Sequence, residues 1–461
     1  MTTRVLLAAL LAFSALPVLA QQPAKCQLVK IAEWPIKIIN NHPILEGTIN
    51  GKKVGVLLDT GAYASSMTKA SADKLDVPTR PTNEIASGFG GSSRVFLTTL
   101  EEVKLGEAVR KNWRVRVVGE RPIPNVDFIL GDDFFKLVDL EFDYAKGVVR
   151  VFQPENCKTS FLGYWDPNAQ VVERENEDKI VVPIKLNGRS GRAMLDSGAS
   201  TSIVALSFAE DVGIRKDSPG VMAASCSGGI GGAVNRNWVA RFDSVSIGNE
   251  VIRDAQLRVQ DYTTDMGGGR RTPPDMFLGT DFLKSHRVYV ARSQDKVYFS
   301  YTGGVVFPAM PSLECDERTA GKSPAEALAA YNQAIAANPN DTKALMQRAS
   351  LRRQANEISG AISDLDTVIQ IEPRNGVALA MRSSLRAQVK DIDGSLADSE
   401  AAIAVGQRSA PMYASRGAMF RSKGNCERAI VEFEEALKID PNLQSAQRGR
   451  DACRKGEAKS E

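Results

Sequence analysis

Histidine is nearly absent from this chain. His42 and His286 are its only two copies in 461 residues, and neither has a second His or a Cys at ligand spacing. Triads built on an imidazole and zinc centres built on clustered His and Cys therefore lose their usual parts, and neither metal nor cofactor is expected. An excess of charge of one sign is also missing. The formal net charge of +3 is too small to imply a nucleic acid partner. Beyond the first 20 residues no apolar run is long enough to span a bilayer, so no stable membrane anchor is expected. That first segment has one Arg, an apolar stretch from Val5 to Leu16, and Val18-Leu19-Ala20 ahead of Gln21, with no Cys at the cleavage site. It reads as a secretory signal peptide cleaved after Ala20, and the mature protein is expected to be exported, periplasmic or secreted.

What the chain does have is an internal repeat. Leu58-Asp59-Thr60-Gly61-Ala62 and Leu195-Asp196-Ser197-Gly198-Ala199 each close a strand-like segment that begins Asn-Gly, and they lie 137 residues apart. Asn50-Gly51 over Asn187-Gly188, Ser65 over Ser202, Ala72 over Ala209 and Val77 over Ile214 keep the same register. Gly88-Phe89-Gly90-Gly91 answers Gly229-Ile230-Gly231-Gly232 at an offset of 141, and Leu130-Gly131 with Asp133-Phe134 answers Leu278-Gly279 with Asp281-Phe282 at 148. The offset grows only in Gly- and Pro-rich stretches, which places the insertions in loops.

These paired motifs, from about residue 26 to residue 302, resemble the retropepsin-type aspartic proteases. In that family two copies of a small β-rich unit build one active site at their shared face. The resemblance implies that Asp59 and Asp196 form a dyad, one carboxylate taking a proton from water while its protonated neighbour donates to the substrate carbonyl. It implies that Gly61 and Gly198 allow a tight turn and close approach of the loops, with Ala62 and Ala199 after them. Thr60 and Ser197 match the family's hydroxyls that bond across to the opposite loop. Gly88, Phe89, Gly90 and Gly91, and Gly229, Ile230, Gly231 and Gly232, match the flaps that would cover a polypeptide substrate. Phe128-Ile129-Leu130-Gly131 and Met276-Phe277-Leu278-Gly279 match the apolar segments that pack beneath the aspartate loops.

After Tyr301 the pattern changes. Pro339, Pro373 and Pro441 are spaced by 34 and twice 34, with Gln407 at the missing step; Ala327, Ala361, Ser395 and Ala429 keep that period, as do Tyr331, Leu365, Ser399 and Phe433. This resembles tetratricopeptide repeats. A terminal second helix over Pro324 to Asn338 is expected, then full repeats starting near Thr342, Gly376 and Ala410, then a capping helix from Asn442 to about Cys453. Arg348, Arg382, Arg416 and Arg450 recur on the same step, as do Asp364, Asp398 and Glu432. They read either as a basic groove for an acidic peptide or, preferably, as a ladder of ion pairs between repeats. By family habit the repeats would bind a protein or peptide ligand.

The expected architecture is multidomain: two mainly β, retropepsin-like acid protease lobes followed by an all-α tetratricopeptide solenoid. The expected boundaries are a signal peptide at 1–20, a first lobe at 24–156, a second at 165–302, a linker at 303–323, repeats at 324–453 and a disordered tail at 454–461. Six cysteines favour disulfides in an exported protein. Cys26 with Cys157 and Cys426 with Cys453 are plausible neighbours, and Cys226 with Cys315 follows only by elimination. The leading reading is an exported aspartic endopeptidase working within one chain. Two alternatives remain open: a non-catalytic scaffold with protease-like lobes, and an enzyme in which like lobes of two chains pair.

Overall fold

The structure is a computed structural model that describes residues 25–88, 91–120, 122–175, 179–228, 234–262, 273–307, 316, 318–319, 322, 324–439 and 443–456. The proposed signal peptide, Cys315, the side chain of Cys226 and most of the flap tips lie outside the described residues.

Each lobe is organised around the repeated Asn-Gly. In the first lobe the strands His42–Ile49 and Lys52–Leu58 run antiparallel through a two-residue turn in which Asn50 and Gly51 have φ of 50° and 77°. The second lobe repeats this with Val181–Leu186 and Arg189–Leu195, where Asn187 and Gly188 have φ of 47° and 83°. Both central residues of such a hairpin turn need positive φ, which Asn and Gly tolerate. The strand ending at Leu58 then pairs parallel with Phe128–Leu130, and the strand ending at Leu195 pairs parallel with Met276–Leu278. Val56, Leu58, Phe128 and Leu130 are fully buried. Near-continuous apolar runs suit strands covered on both faces.

The two lobes share a sheet. Across the junction its order is Gln170–Glu173, Lys296–Tyr301, His286–Ala291, Asp139–Asp143, Val148–Glu155 and Gln27–Ile39, three from each lobe, and it continues through His42–Ile49 into the first lobe. At the junction Glu141 lies opposite Tyr289, and these residues are 148 apart, the late offset of the internal repeat. Repeat-equivalent residues facing each other mark a local twofold relation between the lobes. Glu141 is wholly buried there, and its carboxylate is met by Arg150 at 2.5 Å, by Arg287 Nε at 3.0 Å and by the Tyr164 hydroxyl. A buried charge stays only where it is paired in this way. Cys26 and Cys157 are joined, tying the outer ends of two strands of this sheet.

The second lobe's packing runs on past Tyr301. Val306 and Phe307 are buried in the core of the lobes, the Thr302 amide donates to Ser285 O at 2.8 Å, and the Ser285 hydroxyl donates to Val305 O at 3.2 Å. Arg318 reaches the Asp341 carboxylate at 2.5 Å and the Thr319 hydroxyl meets the Tyr331 hydroxyl at 2.6 Å, so these residues dock on the helical part.

The helices are Pro324–Ala337, Thr342–Gln354, Ile358–Ile371, Gly376–Gln388, Ile392–Ala404, Ala410–Ser422, Cys426–Ile439 and Gln444–Arg454. Asp341, Asn375, Asp391 and Ser409 cap four of them through side-chain oxygens, each satisfying an otherwise orphan amide. Ala361, Ser395 and Ala429 are fully buried, which allows the paired helices to approach closely. Cys426 and Cys453 are joined across the last pair.

The arginine ladder corrects one expectation. Arg348 meets Asp364 at 2.6 Å, Arg382 meets Asp398 at 2.6 Å and Arg416 meets Glu432 at 3.1 Å, each pair lying within one repeat rather than between repeats. The link to the preceding repeat comes from a second arm: Arg348 reaches Asn332 and Arg382 reaches Asp366. Partners 16 residues apart sit at one level on two antiparallel helices, so the pair closes inside the repeat. Arg450 instead pairs with its neighbour Asp451.

Candidate active site

Each aspartate is delivered by the end of a buried strand. The Asp59 amide donates to Leu130 O at 3.0 Å and the Asp196 amide to Leu278 O at 2.9 Å, so the parallel partner strands hold both loops. Within the loops the carboxyls accept local amides, Asp59 Oδ1 from Ala62 at 2.8 Å and Asp196 Oδ1 from Gly198 at 2.9 Å and Ala199 at 3.1 Å. Such Asx bonds turn the chain sharply.

The loops then interlock. The Thr60 amide donates to Ser197 Oγ at 3.1 Å and the Ser197 amide to Thr60 Oγ1 at 3.0 Å. The two hydroxyls reach past each other, Thr60 Oγ1 to Leu195 O and Ser197 Oγ to Leu58 O, both at 2.8 Å. A Cβ on Gly61 would lie 2.5 Å from Asp196 Cγ, and one on Gly198 would lie 2.3 Å from Asp59 Cγ. Each carboxyl therefore rests on the glycine of the opposite lobe, and only glycine leaves room for it. The two carboxyls are close enough to interact directly.

Burial dominates the electrostatics. It raises Asp59 above the ordinary carboxyl range, and burial together with the neighbouring Asp59 charge pushes Asp196 up to about 7. Two carboxyls sharing one largely enclosed site hold a proton between them, because ionising both is costly. Beside them lies Lys179, itself buried, whose ammonium donates to Thr60 O at 3.3 Å and sits 4.0 Å over the Tyr63 ring. Burial lowers its proton affinity, and the charges of Asp132, Asp59 and Asp196 oppose that effect.

Two hairpins lead to the glycine-rich segments. Arg80–Gly88 pairs with Gly91–Leu105, closing on Gly88 opposite Gly91, and Met222–Gly228 pairs with Val234–Ile247. Phe89, Gly90, Gly229, Ile230, Gly231 and Gly232 lie outside the described residues. Among the described residues no three His, Cys, Asp or Glu side chains are grouped to hold a metal ion, and no helix is long and apolar enough to cross a membrane.

Residues 45–137 match the family described as gag-polyprotein putative aspartyl protease, and residues 182–282 match the family described as aspartyl protease. Residues 320–386 and 410–443 match tetratricopeptide repeat families. The chain carries two aspartyl protease domains followed by tetratricopeptide repeats. Two crystal structures of MamA are similar at 20% identity and a TM-score of 0.28, covering 29% of this chain and 78% and 73% of those chains. The crystal structure of YrrB, titled a TPR protein with an unusual peptide-binding site, is similar at 16% identity and a TM-score of 0.26, covering 28% of this chain and 66% of that one. No curated protein matches the chain.

The protease domains use residues that motif reading passed over. Ser65 and Ser202, legible only as repeat markers, brace the aspartate loops. The Gly131 amide donates to Ser65 Oγ at 3.1 Å and the Gly279 amide to Ser202 Oγ at 2.9 Å, while each serine in turn donates to Asp133 or Asp281 at 2.6 Å. Burial pushes the Asp281 carboxyl up to about 6. Lys179 and His42 had no motif to announce them. Their one sequence signal is that they stand 137 residues apart, in the register of the aspartates.

Proposed function

We propose that the chain is an exported aspartic endopeptidase in which Asp59 and Asp196 act as one dyad within a single chain. The observation that carries this reading is the reciprocal seating of each carboxyl on the opposite lobe's glycine, Asp59 on Gly198 and Asp196 on Gly61. The pair holds one proton, and the carboxyl that carries it acts as the acid while the other activates water. Thr60 and Ser197 keep the carboxyls in place, and the glycine-rich hairpins close over an extended polypeptide and exclude water. Phe89 and Ile230, which the sequence motifs match to flap tips, would favour apolar side chains beside the scissile bond. Two disulfides support an oxidising compartment and hence export.

Replacing Asp59 or Asp196 singly by Asn and assaying an unstructured peptide library at several pH values tests the reading. Loss of cleavage from either change is expected. Unchanged behaviour would favour a non-catalytic scaffold. Partial survival would favour pairing of like lobes between two chains, which the intrachain Thr60 and Ser197 bonds argue against.

The tetratricopeptide repeats recruit or position a protein partner and take no part in the chemistry. Tethering a binding surface to a protease raises the effective concentration of any substrate that engages both. A chain ending after Phe307, which keeps the buried Val306 and Phe307, should still cleave short peptides but lose rate on the native protein target. Loss of peptide cleavage in a folded truncation would instead make the repeats part of the catalytic assembly.

A further inference from the structure

Lys179 and His42 occupy equivalent places in the two lobes. His42 opens the strand His42–Ile49, and Lys179 stands two residues before Val181–Leu186, at the same spacing of 137 that relates Asp59 to Asp196. Each side chain crosses to the other lobe's aspartate loop. Lys179 engages the first lobe at Thr60 O and the Tyr63 ring. The His42 imidazole lies against the backbone of Gly198 in the second lobe and within the field of Asp59, and its buried Nδ1 has no hydrogen-bond partner among the described residues. The two crossings start from equivalent places and differ in charge.

The charges around Lys179 can be paired off. Three carboxyls face it, Asp132, Asp59 and Asp196, with the guanidinium of Arg292 as the neighbouring cation. Asp132 is already bound by Arg292, so that pair is internally neutral. What remains is Lys179 and the dyad. A dyad holding one proton carries one negative charge, and one buried ammonium balances it. The other titratable neighbours are His42, within the field of Asp59 and depressed by burial, and the buried Tyr144 hydroxyl, within the field of Asp196.

We propose that Lys179 is a positioning residue for the dyad, latching the first lobe's aspartate loop from the second lobe and balancing the single charge of the singly protonated pair. His42 is the uncharged counterpart that stands beside the opposite loop. The inference deepens the dyad reading above, yet it concerns proton binding and can be tested without turnover.

The test is a titration of the full chain carrying ¹³C-labelled aspartate carboxyls, assigned with Asp59→Asn and Asp196→Asn, in the parent protein and in Lys179→Met, Lys179→Gln and Lys179→Arg. The Met and Gln variants should move both steps of the dyad upward by about one pH unit or more, as expected for removal of a close opposite charge, while Arg should restore the parent values. If the chain cleaves peptides, both limbs of its pH–rate profile should move with them. If it cleaves none, the endopeptidase reading fails while the carboxyl titration still decides this one. A folded Met or Gln variant whose dyad titrates as in the parent protein overturns the proposal. Should neither variant fold, the reciprocal measurement serves: Asp59→Asn should lower the titration of the Lys179 amine, and an unmoved amine overturns the proposal equally.

Discussion

Thr60 and Ser197 exchange two hydrogen bonds across the lobe interface, each taking the other's amide with its hydroxyl oxygen, and each hydroxyl donates to a carbonyl beyond. Both residues are fully buried, so water cannot replace a lost partner. Thr60→Val should therefore strand the Ser197 amide and the Leu195 carbonyl, at a cost of about 1–3 kcal/mol for each buried group left unsatisfied. Chemical denaturation should show the loss, and peptide cleavage should fall further than stability alone explains because the carboxyls lose their alignment. A variant with unchanged denaturation midpoint would remove the grip from the account of the site.

The stability of the protein should carry the signature of Asp196. Its folded-state proton affinity is raised to about 7, above that of an unfolded aspartate. The folded form thus binds the proton more tightly, and this contribution is fully present at low pH and is lost as pH rises towards 7. Asp196→Asn has no such slope. Compared with the parent, it should gain stability between pH 4 and 7, at roughly 1.4 kcal/mol for each unit of the difference. Denaturation curves of both proteins across that range would show parallel lines if the carboxyl is not perturbed.

The pH–rate profile should be bell-shaped with its basic limb near neutrality, since loss of the Asp196 proton at about 7 ends the singly protonated state. Ala62 and Ala199 contribute amides but no hydroxyl to the carboxyls. Ala62→Ser would add a donor to the ionised form and should shift the limbs towards acid. Activity confined to strong acid, unaffected by Ala62→Ser, would contradict the argument.

In the helical repeats, Asp398 is buried and accepts Arg382 at 2.6 and 2.8 Å and Arg386 at 2.9 Å. Asp398→Ala should destabilise the repeats by about 1–3 kcal/mol, because it strands guanidinium hydrogen bonds in a buried place although Asp366 still holds Arg382. The double change Asp398→Leu with Arg382→Met should recover much of that loss. Thermal melts followed by helical circular dichroism separate these outcomes.

Reduction should weaken the two parts independently. Opening Cys26–Cys157 acts on the shared sheet and opening Cys426–Cys453 on the last helical pair. Each is expected to cost about 2–4 kcal/mol. Replacing one pair by alanine and following tryptophan fluorescence and helical signal separately should show two distinct transitions shifting one at a time; a single transition moved by either replacement would show the parts to be coupled.

The sequence by itself determined everything that depends on a short string of residues. Asn50-Gly51 and Asn187-Gly188 specify their turns because few other pairs tolerate positive φ, and Leu58 and Leu195 lead into aspartate loops whose glycines already announce a close approach. The period of 34 marks helical repeats because each turn, cap and small packing residue recurs on it. Tertiary structure decided what depends on partners far apart in the chain. That Glu141 faces Tyr289, that Arg348 closes on Asp364 of its own repeat, and that Val306 and Phe307 belong to the lobe core all follow from how completed elements pack. Lys179 shows the division most clearly. Its position could be counted from the repeat, but a lysine becomes the counterion of a dyad only when folding buries it beside two carboxyls contributed by both lobes, where low dielectric makes one uncompensated charge costly.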